Sequence, residues 1–321
     1  MVIPSNENGT PMSGFLKSAV RRNARKFGRW LTSEKNLPRV RATKQFFATA
    51  LRDQNTFNET RSRYAHLMRD QGKAQRLAIH ERKFYSQFGE DGLLLHFFDK
   101  IGAPNKTFIE FGIEDGRECN AANLAINFGW GGLFIDGGEE LVAKACDFYH
   151  GQHGISPDHV KIMPHFITVE NVNDLFRNNG MEGEIDMLSI DIDGVDYWVW
   201  EAIDCVQPRL VVMEYNAVLG RERSITVPYE ASFDRYQKHP SGMYFGISLK
   251  AVTKLANKKG YLLAGCDTSG ANAFFVRRDL GEGKLDEFTP EEAFYSCAPR
   301  IRTMTQEQQW ETVKGLPFVE I

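Results

Sequence analysis

The chain lacks most of the features that announce a function class at first sight. Its five cysteines (Cys119, Cys146, Cys205, Cys266 and Cys297) are an odd number, widely spaced, and no two form a Cys-x-x-Cys pair. They read as reduced, small apolar residues of a reducing compartment rather than as a disulfide framework. No apolar run approaches the roughly 18 residues that a membrane-spanning helix needs. The first residues carry charges but no apolar core of about 7–15 residues, which argues against a secretory signal. Repeats and low-complexity tracts are absent. The net charge is only −3 over 321 residues, so the whole chain has no electrostatic footprint for nucleic acid.

What charge there is lies unevenly. Residues 1–50 hold ten Lys/Arg (Lys17, Arg21, Arg22, Arg25, Lys26, Arg29, Lys35, Arg39, Arg41 and Lys44) against Glu7 and Glu34. That local excess of +8 leaves −11 on the remainder. A basic arm on an acidic body points to an anionic partner for the arm, or to a solvated leader. Residues 14–31 set Phe15, Leu16, Val20, Phe27, Trp30 and Leu31 against a dense basic face. This predicts a helix that lies on an anionic membrane, on an acidic partner or on its own domain. Residues 1–80 therefore read as a basic leader and helical appendage. Residues 81–280 read as the main domain, and 281–321 as a C-terminal tail with a helix near 305–314.

The main domain alternates apolar runs with helical patterns. Thr107–Phe111 is a short apolar run followed by the glycine turn Gly112-Ile113-Glu114-Asp115-Gly116, a helical segment, and a second run, Gly132–Ile135, closing on Asp136. Further strands are predicted near Val160–Ile167, over Ile185–Ile190 ending at Asp191, and over Arg209–Met213 ending at Glu214-Tyr215-Asn216. Helices are predicted near 138–149, after Thr168, after Asp196 and near 248–259. Tyr261–Cys266 and Ala273–Val276 flank Asp267–Asn272 as a hairpin. The whole predicts an α/β fold with a doubly wound, mostly parallel seven-stranded sheet whose last strand is antiparallel, plus an N-terminal helical appendage.

The glycine turn has Gly112 and Gly116 but not the third glycine of a dinucleotide fingerprint. Glu110, Glu114 and Asp115 would repel phosphates. A ligand with a ribose, an adenine, a cationic group and no phosphate fits this turn better, and S-adenosylmethionine is one such ligand. The chain resembles the FkbM-type S-adenosylmethionine-dependent methyltransferases, which are class I and Rossmann-like. The residues that carry the resemblance are Ser86–Asp91, Phe108–Gly112, Trp130–Asp136, Leu188–Asp196 and Gly270–Val276, together covering roughly 85–280.

The resemblance implies S-adenosylmethionine as cofactor, with Glu110, Gly112 and Gly116 shaping its pocket. Asp136 would accept from the ribose hydroxyls, and Asp191 would face the methionine amino group or the acceptor. Methyl transfer to oxygen also needs a base. Asp193, Glu214 and His239 are the candidates kept as catalytic residues. Asp196 is read instead as a helix cap and His165 as a structural histidine. Asp191 or Asp193 would also join Glu214 and Asn216 as hard oxygen ligands for Mg²⁺. The family implies no metal, so none is expected.

The function so implied is O-methylation of a glycan sugar or secondary metabolite by direct in-line transfer. The loop at 217–245, rich in Arg and Tyr, would hold the acceptor. Two other readings stay open on the sequence. One is a non-catalytic binding or scaffold protein on the same fold; the other is an NAD-dependent oxidoreductase. Nucleic acid is a disfavoured partner, because no Asn/Asp-Pro-Pro-Tyr/Phe motif is present. The expected location is cytoplasmic, with peripheral contact at the inner face of a membrane through 14–31.

Overall fold

The computed structural model describes residues 72–321, which form one compact unit beginning at Gly72. The basic stretch 14–31 and the rest of 1–71 lie outside the described residues. Strands β1 (Thr107–Phe111), β2 (Gly131–Asp136), β3 (Val160–Pro164), β4 (Gly183–Ile190) and β5 (Val206–Glu214) pair in parallel. The central strands β1, β2, β4 and β5 are runs rich in Val, Ile, Leu and Phe that are mostly buried because helices cover the sheet from each side, whereas the edge strand β3 is partly exposed.

A two-residue strand β6 (Ile225–Thr226) follows, then the hairpin strands β7 (Tyr261–Cys266) and β8 (Asn272–Arg277). The order across the large sheet is β3-β2-β1-β4-β5-β8-β7. Strand β8 runs antiparallel to both β5 and β7. This is the sheet that the sequence pattern predicts, including its antiparallel last strand.

The longer helices are α1 (Lys73–Ala78), α2 (Glu90–Ile101), α3 (Ala122–Phe128), α4 (Glu139–Cys146), α5 (Val172–Asn178), α6 (Asp196–Ala202), α7 (Leu249–Lys258) and α8 (Gln306–Val313). Helix α7 shows why such segments fold. The Ser248 side chain caps its start by accepting from Ala251 N, and Leu249, Val252 and Leu255 share the buried face. Among the described residues, no helix is long and apolar enough to cross a membrane.

The lead-in Ser86–Asp91 owes its composition to the start of α2. One oxygen of Asp91 accepts from the backbone N–H groups of Phe84, Tyr85 and Ser86 at 2.7–2.9 Å, and from the Ser86 hydroxyl. Glu90 accepts from Phe88 N and from the Asn272 amide, tying this loop to β8. The last forty residues also pack on the unit. The Tyr215 hydroxyl bonds both the carbonyl and the N–H of Tyr295, and the final strand β9 (Val319–Glu320) pairs with β6.

The chain builds β1, β2 and β3 outward on one side of the sheet, then returns to build β4 and β5 on the other. The crevice outside the carboxyl ends of β1 and β4 is therefore the topological switch point, where open α/β sheets bind ligands.

Candidate functional site

A cavity of 1080 Å³ opens at that switch point. It is large enough for a nucleoside-sized ligand together with a second molecule. Glu110, Gly112, Asp136, Asp191, Asp193 and Glu214 all line it. Two expected site residues, Gly116 and His239, are not among its lining residues.

Gly112 ends β1 with φ +79°, and a Cβ there would stand 1.4 Å from the Asp191 carbonyl oxygen. Only glycine lets the two strand ends approach so closely. Gly116, also at φ +79°, turns away from the cavity instead. A Cβ there would meet Tyr149 and Ala145, and its carbonyl accepts from the Tyr149 hydroxyl at 2.7 Å. Its place is in packing the turn on α4 and the π-turn that follows (Asp147–Gln152). His239 sits in a surface turn, its Nδ1 bonded within that turn to the Ser241 hydroxyl at 2.7 Å.

Glu110 and Asp136 line the cavity, yet their oxygens are largely engaged by the protein. Glu110 accepts from Asn120 N at 2.8 Å and Ala121 N at 2.7 Å, holding the entry to α3. Burial pushes its carboxyl up to about 7, against the pull of those N–H groups. Asp136 accepts from Glu114 N and from Gly138 N, each at 2.8 Å. It thereby clamps the glycine turn to the end of β2 and leaves its remaining lone pairs to the cavity.

The acids after β4 divide in the same way. Asp196 accepts from Ile192 N and Gly194 N and closes the turn between them, so it folds back on the loop rather than capping the helix. Burial pushes it up to about 6. Asp191 is held well above the usual carboxylate range by burial and by the charges of Asp193 and Asp196. Glu214 is raised in the same sense by burial and by Asp191 and Asp193. Asp193, at φ +53°, is raised by burial and pulled back by Arg235 and Arg300; Arg235 forms an ion pair with it. Asn216 is withdrawn from the site. Its amide donates to the carbonyls of Met243 and Phe245 at 2.9 Å, and its oxygen accepts from Val218 N.

The cavity wall also contains Phe166 and Arg300, which no sequence pattern singled out, and Arg235 from the loop expected to hold an acceptor. Phe166, 58% exposed, stands over Gly137 just after the strand-end Asp136. Arg235, from the 217–245 loop, and Arg300, from the C-terminal segment, approach the same Phe245 ring at 5.1 and 5.5 Å. Arg300 was invisible in the sequence because its segment lies outside the alternating strands and helices. His165 lines the cavity too, with Nδ1 near the Phe166 carbonyl.

No protein-family model matches the chain, and no curated protein matches it. Among solved structures, a putative caffeoyl-CoA O-methyltransferase from Staphylococcus aureus is 15% identical, covering 74% of this chain and 99% of its own, with a TM-score of 0.40. The N-terminal domain of EvdMO1 with SAH bound is 14% identical over 66% of this chain and 94% of its own, with a TM-score of 0.38. The CurJ carbon methyltransferase is 11% identical over 58% of this chain, with a TM-score of 0.36; the match spans only 52% of that longer chain. The strand order above is what establishes the architecture.

Proposed function

We propose that the chain is an S-adenosylmethionine-dependent methyltransferase acting on an oxygen of a glycan sugar or secondary metabolite. The FkbM-type resemblance belongs to this proposal. The observation that carries it is the acid-lined cavity at the switch point, with a carboxylate at the end of each of β1, β2, β4 and β5. Such a wall repels phosphates and suits a cationic cofactor. Bound there, S-adenosylmethionine supplies an electrophilic methyl group on a sulfonium centre.

The residues divide the remaining work. Gly112 lets backbone come close at the end of β1. Asp136 offers its free lone pairs to ribose hydroxyls, and Phe166 offers an apolar face beside it. Asp191, Asp193 and Glu214 hold carboxylates where an acceptor hydroxyl would give up its proton. Asp191 and Glu214 lie at adjacent strand ends, and burial together with their mutual repulsion raises both carboxyls well above the usual carboxylate range. The remaining carboxylate charge of this group can accept the acceptor's proton. Arg235 and Arg300 form the wall on the acceptor side.

Calorimetry with S-adenosylhomocysteine tests the reading. The protein should bind it one to one, and Asp136→Ala should weaken binding at least about tenfold. A folded protein that binds none would instead be a scaffold on this fold.

A further inference from the structure

Charge is not spread evenly round the cavity. At the glycine turn, Glu114, Asp115 and Asp136 meet one lining arginine, Arg117, which pairs with Asp115 at 3.0 Å. Beyond β4 the balance differs. The Asp193 carboxyl, raised by burial, is pulled back by two arginines, Arg235 and Arg300, and both line the cavity. Arg235 forms the ion pair with Asp193 and also reaches the Tyr236 hydroxyl at 3.3 Å. Behind them, burial and neighbouring acids hold Asp191 and Glu214 well above the usual carboxylate range. These two therefore oppose an incoming anion less than two freely ionised carboxylates would.

Arg300 is the arginine left over. It is partly buried, yet among the described residues its guanidinium donates no hydrogen bond and forms no ion pair. Its guanidinium carbon stands 5.5 Å from the centre of the Phe245 ring, a contact that orients the group without using its N–H donors. Phe245 is fully packed, so the platform is fixed. The segment that carries Arg300 is fastened as well: Ala298 N donates to the Ser269 carbonyl at 2.6 Å, and the Arg300 carbonyl accepts from Met304 N at 3.0 Å. A guanidinium holds five donors in a planar fork that matches a carboxylate or phosphate through two parallel bonds. Here that fork is held at the wall of a cavity, near the carboxyl groups that would take an acceptor's proton.

We propose that the acceptor is an anion, a sugar or metabolite bearing a carboxylate or phosphate group that Arg300 binds. This rests on the methyltransferase reading and narrows its substrate class. A hydroxyl elsewhere on the same molecule then faces Asp191, Asp193 and Glu214. Arg235, engaged by Asp193, adds positive potential beside the fork but is not free to replace it. The division of charge also sets orientation. A cationic cofactor belongs at the acids of the glycine turn, and an oxyanion belongs at the arginines beyond β4. A neutral sugar would have no such preference for one end of the cavity over the other.

The test uses the whole chain with excess S-adenosylhomocysteine. D-glucuronate, D-glucose 6-phosphate and D-glucose are titrated in turn and followed by ligand-observed NMR, on the parent, Arg300→Gln and Arg300→Lys. We expect at least one of the two anionic sugars to bind at least about tenfold more tightly than glucose, and Arg300→Gln to remove that preference. The tighter of the two identifies the oxyanion as carboxylate or phosphate. Arg300→Lys, a point charge without a fork, should keep only part of the preference. If Arg300→Gln does not fold, Arg300→Lys carries the comparison. Equal binding of the three sugars by the parent, or a preference that survives intact in the folded variants, overturns the proposal. S-adenosylhomocysteine binding by the parent alone reads the methyltransferase proposal separately. Its absence, with the oxyanion preference intact, removes that reading and supports the site at Arg300.

Discussion

At the scale of single residues, two positions carry most of the constraint. A methyl group at 112 would overlap the Asp191 carbonyl, in a backbone conformation that L side chains rarely adopt. Gly112→Ala should therefore cost at least about 3 kcal/mol in urea unfolding, near the top of what single substitutions do. A cost under about 0.5 kcal/mol would mean that β1 and β4 do not meet there. Glu110 makes stability depend on pH. The unfolded chain releases this proton near the ordinary 4.5, whereas the folded protein keeps it to about 7. Between those values the folded state binds more protons, so the contribution is full below about 4.5 and is lost as pH rises through about 7. Asp196, raised to about 6, and Asp267, raised to about 7, act in the same direction. Urea midpoints should fall from pH 4.5 to 7.5. Glu110→Gln should reduce that fall by on the order of 3 kcal/mol, while Asp196 and Asp267 preserve part of it.

At the scale of elements, the strands were legible and the uses of their terminal side chains were not. The apolar runs of β1, β2, β4 and β5 stand out because a parallel strand covered on both faces must be apolar throughout. That each ends on an acid was equally plain. The sequence could not show that Glu110 binds the N–H groups of Asn120 and Ala121, or that Asp136 reaches back to that of Glu114, since those contacts follow from how the glycine turn folds back. Asn216 looked like a metal ligand by its place after β5. Its amide instead holds the 243–245 segment, a contact that only the tertiary fold brings about. The Tyr215 hydroxyl is similar: it fastens Tyr295, and with it the segment bearing Arg300, to the end of β5. Tyr215→Phe leaves a carbonyl and an N–H of Tyr295 without this partner. It should cost about 1–3 kcal/mol in thermal or urea unfolding. A neutral result would show that water replaces the hydroxyl freely.

At the scale of the whole molecule, the cavity is a composite of distant pieces. Its floor is made of the ends of β1, β2, β4 and β5. Its wall draws Arg235 from the long loop and Arg300 from the C-terminal segment. The alternation of strands and helices predicted the floor because those rules are local. It was silent on the C-terminal wall because nothing local marks a segment that folds back across a site. Tyr244, whose hydroxyl donates to the Pro317 carbonyl, and the β6–β9 pair anchor the final residues beside the same loop.

The position of β8 has one more consequence, and it concerns the order in which the protein can be made. Its place in the sheet lies between β5 and β7, yet it is the last of the seven strands to leave the ribosome. Until residues 272–277 emerge, β5 is an open edge bearing Leu210, Val211, Val212 and Met213, and β7 has no neighbour to pair with. A chain interrupted before that point would keep an unsatisfied apolar edge of the kind that recruits other chains. A nascent chain must wait for the hairpin, and the Asn272–Glu90 bond then joins its last strand to its lead-in.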